Sequence, residues 1–286
     1  MMDYTLNVGG HLLSLDRTKV MGILNVTPDS FYASSRSVTS DAVKSRVEEL
    51  LAEGADIIDI GACSTRPSAY YATESYATES EEMSRLRMGL DALRSVAPEC
   101  VVSVDTFRAD VARMCVEEYG VSIVNDISGG QADPQMFPTV ARLGVPYVLT
   151  HTRGDSQTMQ EQCDYDNLIE DLLLFFTRRV DELRSLGQKD IIIDPGFGFA
   201  KTLDQNYELV SHLNAFELLG LPILVGVSRK SMVHRLLGCD PDTSLNGTTA
   251  LHAFCLSKGC VSILRVHDVK ACREVISIYE KISEQS

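Results

Sequence analysis

Eight short runs of apolar, largely β-branched residues, each followed by a polar turn and a helical pattern, constrain this chain more than any other feature. They fall at 19–24, 56–60, 101–104, 121–124, 145–149, 190–193, 222–227 and 261–266. Between them, apolar residues recur at helical spacing, for example over 43–51, 83–96, 168–186 and 204–219. Parallel strands covered on both faces read as continuous apolar runs, because neither face meets water. Eight strand-then-helix units without an intervening linker therefore predict a (β/α)8 TIM barrel in preference to a doubly wound open sheet. Such barrels reach about 250 residues as single units, so residues 1–286 are read as one domain. The segment 4–15, with Gly9-Gly10 at its centre, reads as a short N-terminal β-hairpin that plugs the barrel floor.

With these strands in place, the unusual polar residues fall in one register, just after each run: Asn25, Asp59, Asp105, Asn125, His151, Asp194, Ser228 to Lys230, Arg265 and His267. A barrel gathers all its strand C-termini on one rim, so residues distant in sequence converge on one pocket. A single Asp or Asn here reads equally well as a helix cap. The whole set does not, because polar groups at buried strand ends are costly unless they serve a purpose.

The set divides by chemistry. Asp105, Asn125 and Asp194 supply acceptors, with an amide that donates or accepts, suited to the N–H and amino groups of a fused nitrogen heterocycle. Arg66, Arg265 and His267, with Asn25 nearby, supply donors suited to phosphate oxygens; strand alternation points Arg265 and His267 to one face. The serines of Gly226-Val-Ser-Arg-Lys-Ser231 open a helical pattern, where backbone N–H groups favour an anion, and Lys230 faces the pocket mouth. In Asp194-Pro-Gly-Phe-Gly-Phe199 an aromatic beside a glycine-rich rim can cover a flat ring.

A net charge of −14 and a pI near 4.8 argue against nucleic acid or an anionic membrane as partner, yet leave room for a local anion site. Eight cysteines without a C-x-x-C pair signal no zinc site and read as reduced, structural thiols. No run approaches the roughly 20 apolar residues of a membrane span, and the N-terminus lacks a long apolar stretch, which together predict a cytoplasmic protein.

From 20 to the C-terminal helix the chain resembles the dihydropteroate synthases. The resemblance rests on MGILNVTPDSF (21–31), IIDIGACSTRP (57–67), SVDTF (103–107), NDISGG (125–130), DPGFGFAK (194–201), GVSRKS (226–231) and RVHD (265–268), in the family's order. It implies a barrel, usually homodimeric, that joins 6-hydroxymethyl-7,8-dihydropterin diphosphate to p-aminobenzoate in folate biosynthesis, and a target of sulfonamides. By motif, Asp105, Asn125, Asp194 and Lys230 would bind the pterin, with Ile127 packing on its ring. Asn25 would contact the diphosphate and its Mg²⁺, while Arg66, Arg265 and His267 would hold the leaving group. Phe31, Thr65, Pro67, Phe199, Ser228 and Ser231 would shape the aminobenzoate site, and Gly226 is a further expected substrate-binding residue. Of these, Asp105, Asp194, Lys230, Arg265 and His267 are the expected catalytic set.

The implied mechanism is dissociative: C–O cleavage releases diphosphate, and the aromatic amine attacks the cationic methylene. Two alternatives share the ring contacts, a methyltetrahydrofolate methyltransferase and a noncatalytic pterin-binding paralogue. The methyltransferase would not need STRP, SRKS and RVH together. Four departures from the family pattern stand out: YASSR after TPDSF, Ser68 after STRP, Ala200 for a glycine in DPGFGFGK, and Thr152 where methionine is frequent. In addition, Tyr71 to Ser75 is copied at once as Tyr76 to Ser80. Loop expansion costs little entropy, so this reads as a tolerated insertion; its place on the second rim loop also predicts altered sulfonamide binding.

Overall fold

The computed structural model describes residues 4–27, 39–63, 77–154 and 158–285. Strands β1 (Thr5–Val8) and β2 (His11–Ser14) pair antiparallel. Their two-residue turn needs left-handed backbone at both positions, supplied by Gly9 at φ +64° and Gly10 at φ +89°. Eight parallel strands follow: β3 (Lys19–Asn25), β4 (Ile57–Gly61), β5 (Val101–Asp105), β6 (Ile123–Asp126), β7 (Tyr147–Thr150), β8 (Ile191–Asp194), β9 (Ile223–Val225) and β10 (Val261–Val266). They close in sequence order, with β10 returning to β3.

Around the barrel run α1 (Ser40–Ala52), α2 (Glu79–Val96), α3 (Ala109–Tyr119), α4 (Met136–Leu143), α5 (Leu168–Ser185), α6 (Leu203–Ser211), α7 (Ser231–Leu237), α8 (Leu245–Leu256) and α9 (Val269–Ser283). Each outer strand face packs against them: Ile58 and Ile60 of β4, for instance, join Leu86, Leu90 and Leu93 of α2 in the main core. Thr78 opens α2 with a capping box to Glu81, three residues on. The pattern at 204–219 predicts one helix, but the structure divides it into α6 and a 3₁₀ segment, Leu213–Leu219. The three-residue repeat sets Leu213 and Phe216 one above the other on the buried face.

Side-chain alternation sorts the barrel interior into layers. At the floor, Met21, Ile57, Ile123, Val148, Ile192, Leu224 and Ile263 pack against Leu6, Val8 and Leu15, so the hairpin plugs that end. Two residues further along, six of the eight strands turn polar: Asp59, Ser103, Asn125, Thr150, Asp194 and Arg265. The strands therefore run through residues that the sequence places just beyond them, and Asp59 is a mid-strand residue. A strand interior tolerates polar side chains where they face one another across a cavity. All eight cysteines are unpaired, and burial pushes the thiols of Cys115, Cys255 and Cys272 up to about 12, as inert structural thiols require. Among the described residues, no helix is long and apolar enough to cross a membrane.

Candidate functional site

At the C-terminal end of the barrel two carboxylates hold one guanidinium. Arg265 Nε donates to Asp59 Oδ2 at 2.6 Å, and its Nη2 donates to Asp105 Oδ2 at 2.5 Å. Asn125 Nδ2 donates to the same Asp59 oxygen at 3.0 Å. Burial would strip charge from Arg265, but Asp59 and Asp105 outweigh it and raise its pKa above the ordinary value. Burial pushes the Asp105 carboxyl up, Arg265 pulls it back, and the neighbouring Asp59 raises it again. With two of five N–H groups committed to carboxylates, the guanidinium retains donors for an anion.

Across the barrel, burial raises the Asp194 carboxyl while Lys230 opposes the shift. Its Oδ1 accepts the Gly196 N–H at 2.8 Å, which folds the 195–200 turn back on the strand. Gly196 is obligatory there: it sits at φ +73°, and a Cβ would lie 2.0 Å from the His151 carbonyl oxygen. Lys230 donates to the Phe197 carbonyl, and its Nζ lies 4.1 Å from the Phe199 ring centroid. Burial lowers the Lys230 pKa to about 8, with Asp194 resisting.

Lys201, the last residue of DPGFGFAK, is buried beneath this turn. It donates to the Gly196 and Phe199 carbonyls at 2.9 and 3.1 Å and approaches His151 Nδ1 at 3.1 Å. Burial pushes Lys201 down to about 7 and holds His151 well below its usual range. A neutral His151 is then the acceptor, and three acceptors match the three donors of an ammonium. His151 thus supports the turn from below, and Ala200 takes a left-handed φ of +47°, which explains why glycine suits that position.

The 226–231 turn and the 265–268 segment are latched together. Ser228 Oγ accepts the His267 N–H at 3.1 Å and contacts its Nδ1 at 3.1 Å, while Arg46 from α1 grips the His267 carbonyl at 2.8 Å. Arg229 forks onto Asp268 at 2.9 and 2.7 Å. Ser231 is the first residue of α7, and Lys230 is its N-cap. Gly226 leaves the space between Lys230 Nζ and Arg265 open, since a Cβ there would stand 3.9 Å from one and 4.0 Å from the other.

On β6 the two polar neighbours point opposite ways. Asn125 enters the barrel; Asp126 turns outward and accepts the Ser128 and Gly130 N–H groups at 2.7 and 2.9 Å and the Tyr147 hydroxyl at 2.7 Å. Arg179 adds two bonds to the Gly129 carbonyl, at 3.3 and 2.9 Å. This fixes the turn that presents half-buried Ile127.

The structure thus brings Asn25, Asp105, Asn125, Ile127, Asp194, Phe199, Gly226, Ser228, Lys230, Ser231, Arg265 and His267 to one barrel end. Phe31, Thr65, Arg66 and Pro67, and positions 71–76 of the tandem copy, lie outside the described residues. Asp126, Lys201 and Asp268 were not singled out by the sequence, although each sits inside a quoted motif; Asp59 and Arg229 were picked out as polar residues of the rim but given no role of their own. Asn25 offers an amide oxygen beside Asp105: a Cβ on Gly61 would lie 3.8 Å from Asn25 Oδ1 and 3.3 Å from Asp105 Cβ. Among the described residues no group of three His, Cys, Asp or Glu side chains could hold a metal. That donor set suits Mg²⁺, which takes one or two protein oxygens and completes its shell with phosphate and water.

Residues 21–267 match the model of the pterin binding enzyme family. A dihydropteroate synthase from Haemophilus influenzae is 38% identical over 270 residues, covering 94% of this chain and 95% of its own. One from Synechocystis is 39% identical over 93% and 90% of the two chains. Among solved structures, Xanthomonas albilineans dihydropteroate synthase with 4-aminobenzoic acid superposes with a TM-score of 0.89 at 33% identity over 99% of both chains. The Yersinia pestis enzyme in a sulfonamide complex gives 0.90 at 36% identity, covering 98% of this chain and 100% of its own. The Xanthomonas albilineans enzyme with 7,8-dihydropteroate gives 0.85 at 32%, over 98% and 99%.

Proposed function

The chain belongs to the pterin binding enzyme family and within it to the dihydropteroate synthases, and from that premise we propose how its own residues perform the reaction. The chain condenses 6-hydroxymethyl-7,8-dihydropterin diphosphate with p-aminobenzoate, giving 7,8-dihydropteroate and diphosphate. One observation carries the assignment of roles: Asp105, Asn125 and Asp194 face inward on the layer where the cations Arg265 and Lys230 are also held.

Asp105, Asn125 and Asp194 take the pterin ring through its N–H groups, since paired hydrogen bonds to ionised carboxylates are strong and directional. Ile127 covers one ring face, and Phe199 lies at the rim with Ser228 and Ser231 towards the aminobenzoate. Lys230, beside Asp194, donates to the ring. The methylene C–O bond breaks and its electron pair leaves with diphosphate. Arg265 and His267 receive the growing negative charge, a form of stabilisation effective in a preorganised, water-poor site. The aromatic amine, held in line, forms the C–N bond and then loses a proton; positioning removes much of the entropic barrier. Asn25 would hold Mg²⁺ on the diphosphate, where the ion supplies Lewis-acid stabilisation of the leaving oxygens. Phe31, Thr65, Arg66 and Pro67 complete this reading by motif.

We further propose that residues 1–286 work as one domain in a cytoplasmic homodimer. The unpaired thiols suit a reducing compartment. Leu236 and Leu237 of α7, Leu245 and Phe254 of α8 and Ile278 of α9 are exposed apolar residues on successive, contacting helices.

The test is turnover of purified protein supplied with the dihydropterin diphosphate, p-aminobenzoate and Mg²⁺, with Lys230→Ala as control. Equal amounts of dihydropteroate and diphosphate, lost in the variant, support the reading. Ring binding without turnover points instead to a noncatalytic paralogue.

A further inference from the structure

The interior layer contains one carboxylate with no part in the reaction as written. Asp59 is fully buried in the middle of β4, and a single oxygen of it carries two functional side chains. Its Oδ2 accepts Asn125 Nδ2 at 3.0 Å and Arg265 Nε at 2.6 Å, while Oδ1 has no hydrogen-bond partner among the described residues. An ionised carboxylate only accepts, whereas a primary amide has one accepting and one donating branch. Asn125 must therefore turn its nitrogen towards Asp59, because the reverse orientation would set two acceptors against each other. Its Oδ1, on the other branch of the planar group, faces away from Asp59. Together with Asp105 and Asp194, the residue then meets a bound ring as an acceptor.

We propose that Asp59 is a positioning residue: it fixes the polarity of Asn125, so that the pocket selects a heterocycle edge made of N–H donors, and ties Arg265 to the same oxygen. The inference rests on the dihydropterin reading above. It assigns Asp59 no contact with substrate; its influence passes through Asn125 for the ring and through Arg265 for the leaving group. A residue that acts this way has a signature that a merely structural buried acid lacks. Its removal should matter for ring binding only while Asn125 is present.

The test is a double-mutant cycle on the affinity for 6-hydroxymethyl-7,8-dihydropterin, the ring without diphosphate, measured by competition into the millimolar range. Asp59→Ala, which removes the acceptor altogether, should weaken binding about tenfold in the wild-type background and by less than about threefold in Asn125→Ala, as expected for two groups acting as one unit. Equal losses in both backgrounds, or no loss in either, overturn the proposal. If Asp59→Ala does not fold, the exchanged pair Asp59→Asn with Asn125→Asp keeps the net charge and restores a donor facing an acceptor. It should bind the ring at least about tenfold better than Asn125→Asp, which sets two carboxylates against each other. An exchanged pair that binds no better than Asn125→Asp overturns the proposal too. Wild-type protein that binds no dihydropterin refutes the substrate assignment itself, and this role with it; additive losses in a wild type that does bind refute the role of Asp59 only.

Discussion

Arg229 carries a Cβ yet sits at a left-handed φ of +54°, a conformation that costs roughly 1–2 kcal/mol outside glycine. It is kept there by the fork onto Asp268, a 3.2 Å contact with Asp242, and a 3.1 Å bond from its own N–H to Thr248 Oγ1. Arg229→Ala removes the fork, leaves half-buried Asp268 without its counter-ion and retains the backbone strain. A hydrogen bond to a charged group is worth about 1.5–3 kcal/mol, and partial exposure draws the value down, so the loss should be about 2 kcal/mol. Arg229→Gly removes the same side chain but relieves the strain, so it should destabilise by about 1 kcal/mol less. For a chain of 286 residues the entropy of unfolding is roughly 0.6 kcal/mol per kelvin. Calorimetry should then place the Ala variant ~3 °C below wild type and the Gly variant ~1–2 °C below. Because the turn sets Ser228 and Lys230, kcat/KM should fall about tenfold or more in both, most in the variant whose turn is looser. Equal Tm values for the two variants, or full activity in both, would refute the latch.

Lys230 is protonated below its lowered pKa of about 8 and neutral above it, so kcat/KM should decline as pH rises through about 8. In Lys230→Arg, whose side chain stays charged, that alkaline limb should vanish from the normalised pH profile even if the maximum falls. Asp126→Asn places an amide against one of three converging donors; it should lower stability by about 2–3 kcal/mol in urea titrations and weaken pterin binding through the turn that carries Ile127. Phe254→Asp on exposed α8 should give a monomer by light scattering while the Tm of that monomer shows an intact barrel; an unchanged dimer would place the interface elsewhere.

The barrel is legible because strands buried on both faces leave an unbroken apolar record, as Ile57-Ile58 and Ile191-Ile192-Ile193 do. Strand ends are less so. The apolar pattern stops at Val104, Val124 and Ile193, but the backbone ladder continues through Asp105, Asn125 and Asp194, because the barrel interior there is polar rather than oily. Asn125 and Asp126 illustrate what alternation can and cannot tell: it separates their faces, but the three donors that meet Asp126 depend on a turn conformation. The fork between Arg229 and Asp268 and the triad of acceptors on Lys201 join segments 39 and up to 50 positions apart. No local pattern encodes such pairs, since each depends on two loops folding against each other. The largest shift in meaning concerns Arg265, which the sequence offers as a phosphate donor and the fold also uses to neutralise Asp59 and Asp105.

In the proposed mechanism the inward-facing acids of the barrel hold the pterin while the cations beside them face the diphosphate. A crystal structure of the protein with its dihydropterin diphosphate and Mg²⁺ tests it most directly. The ring edge should lie on Asp105, Asn125 and Asp194, and the diphosphate beside Arg265, His267 and Asn25. A ring bound outside the barrel end, or a diphosphate far from Arg265, would contradict it.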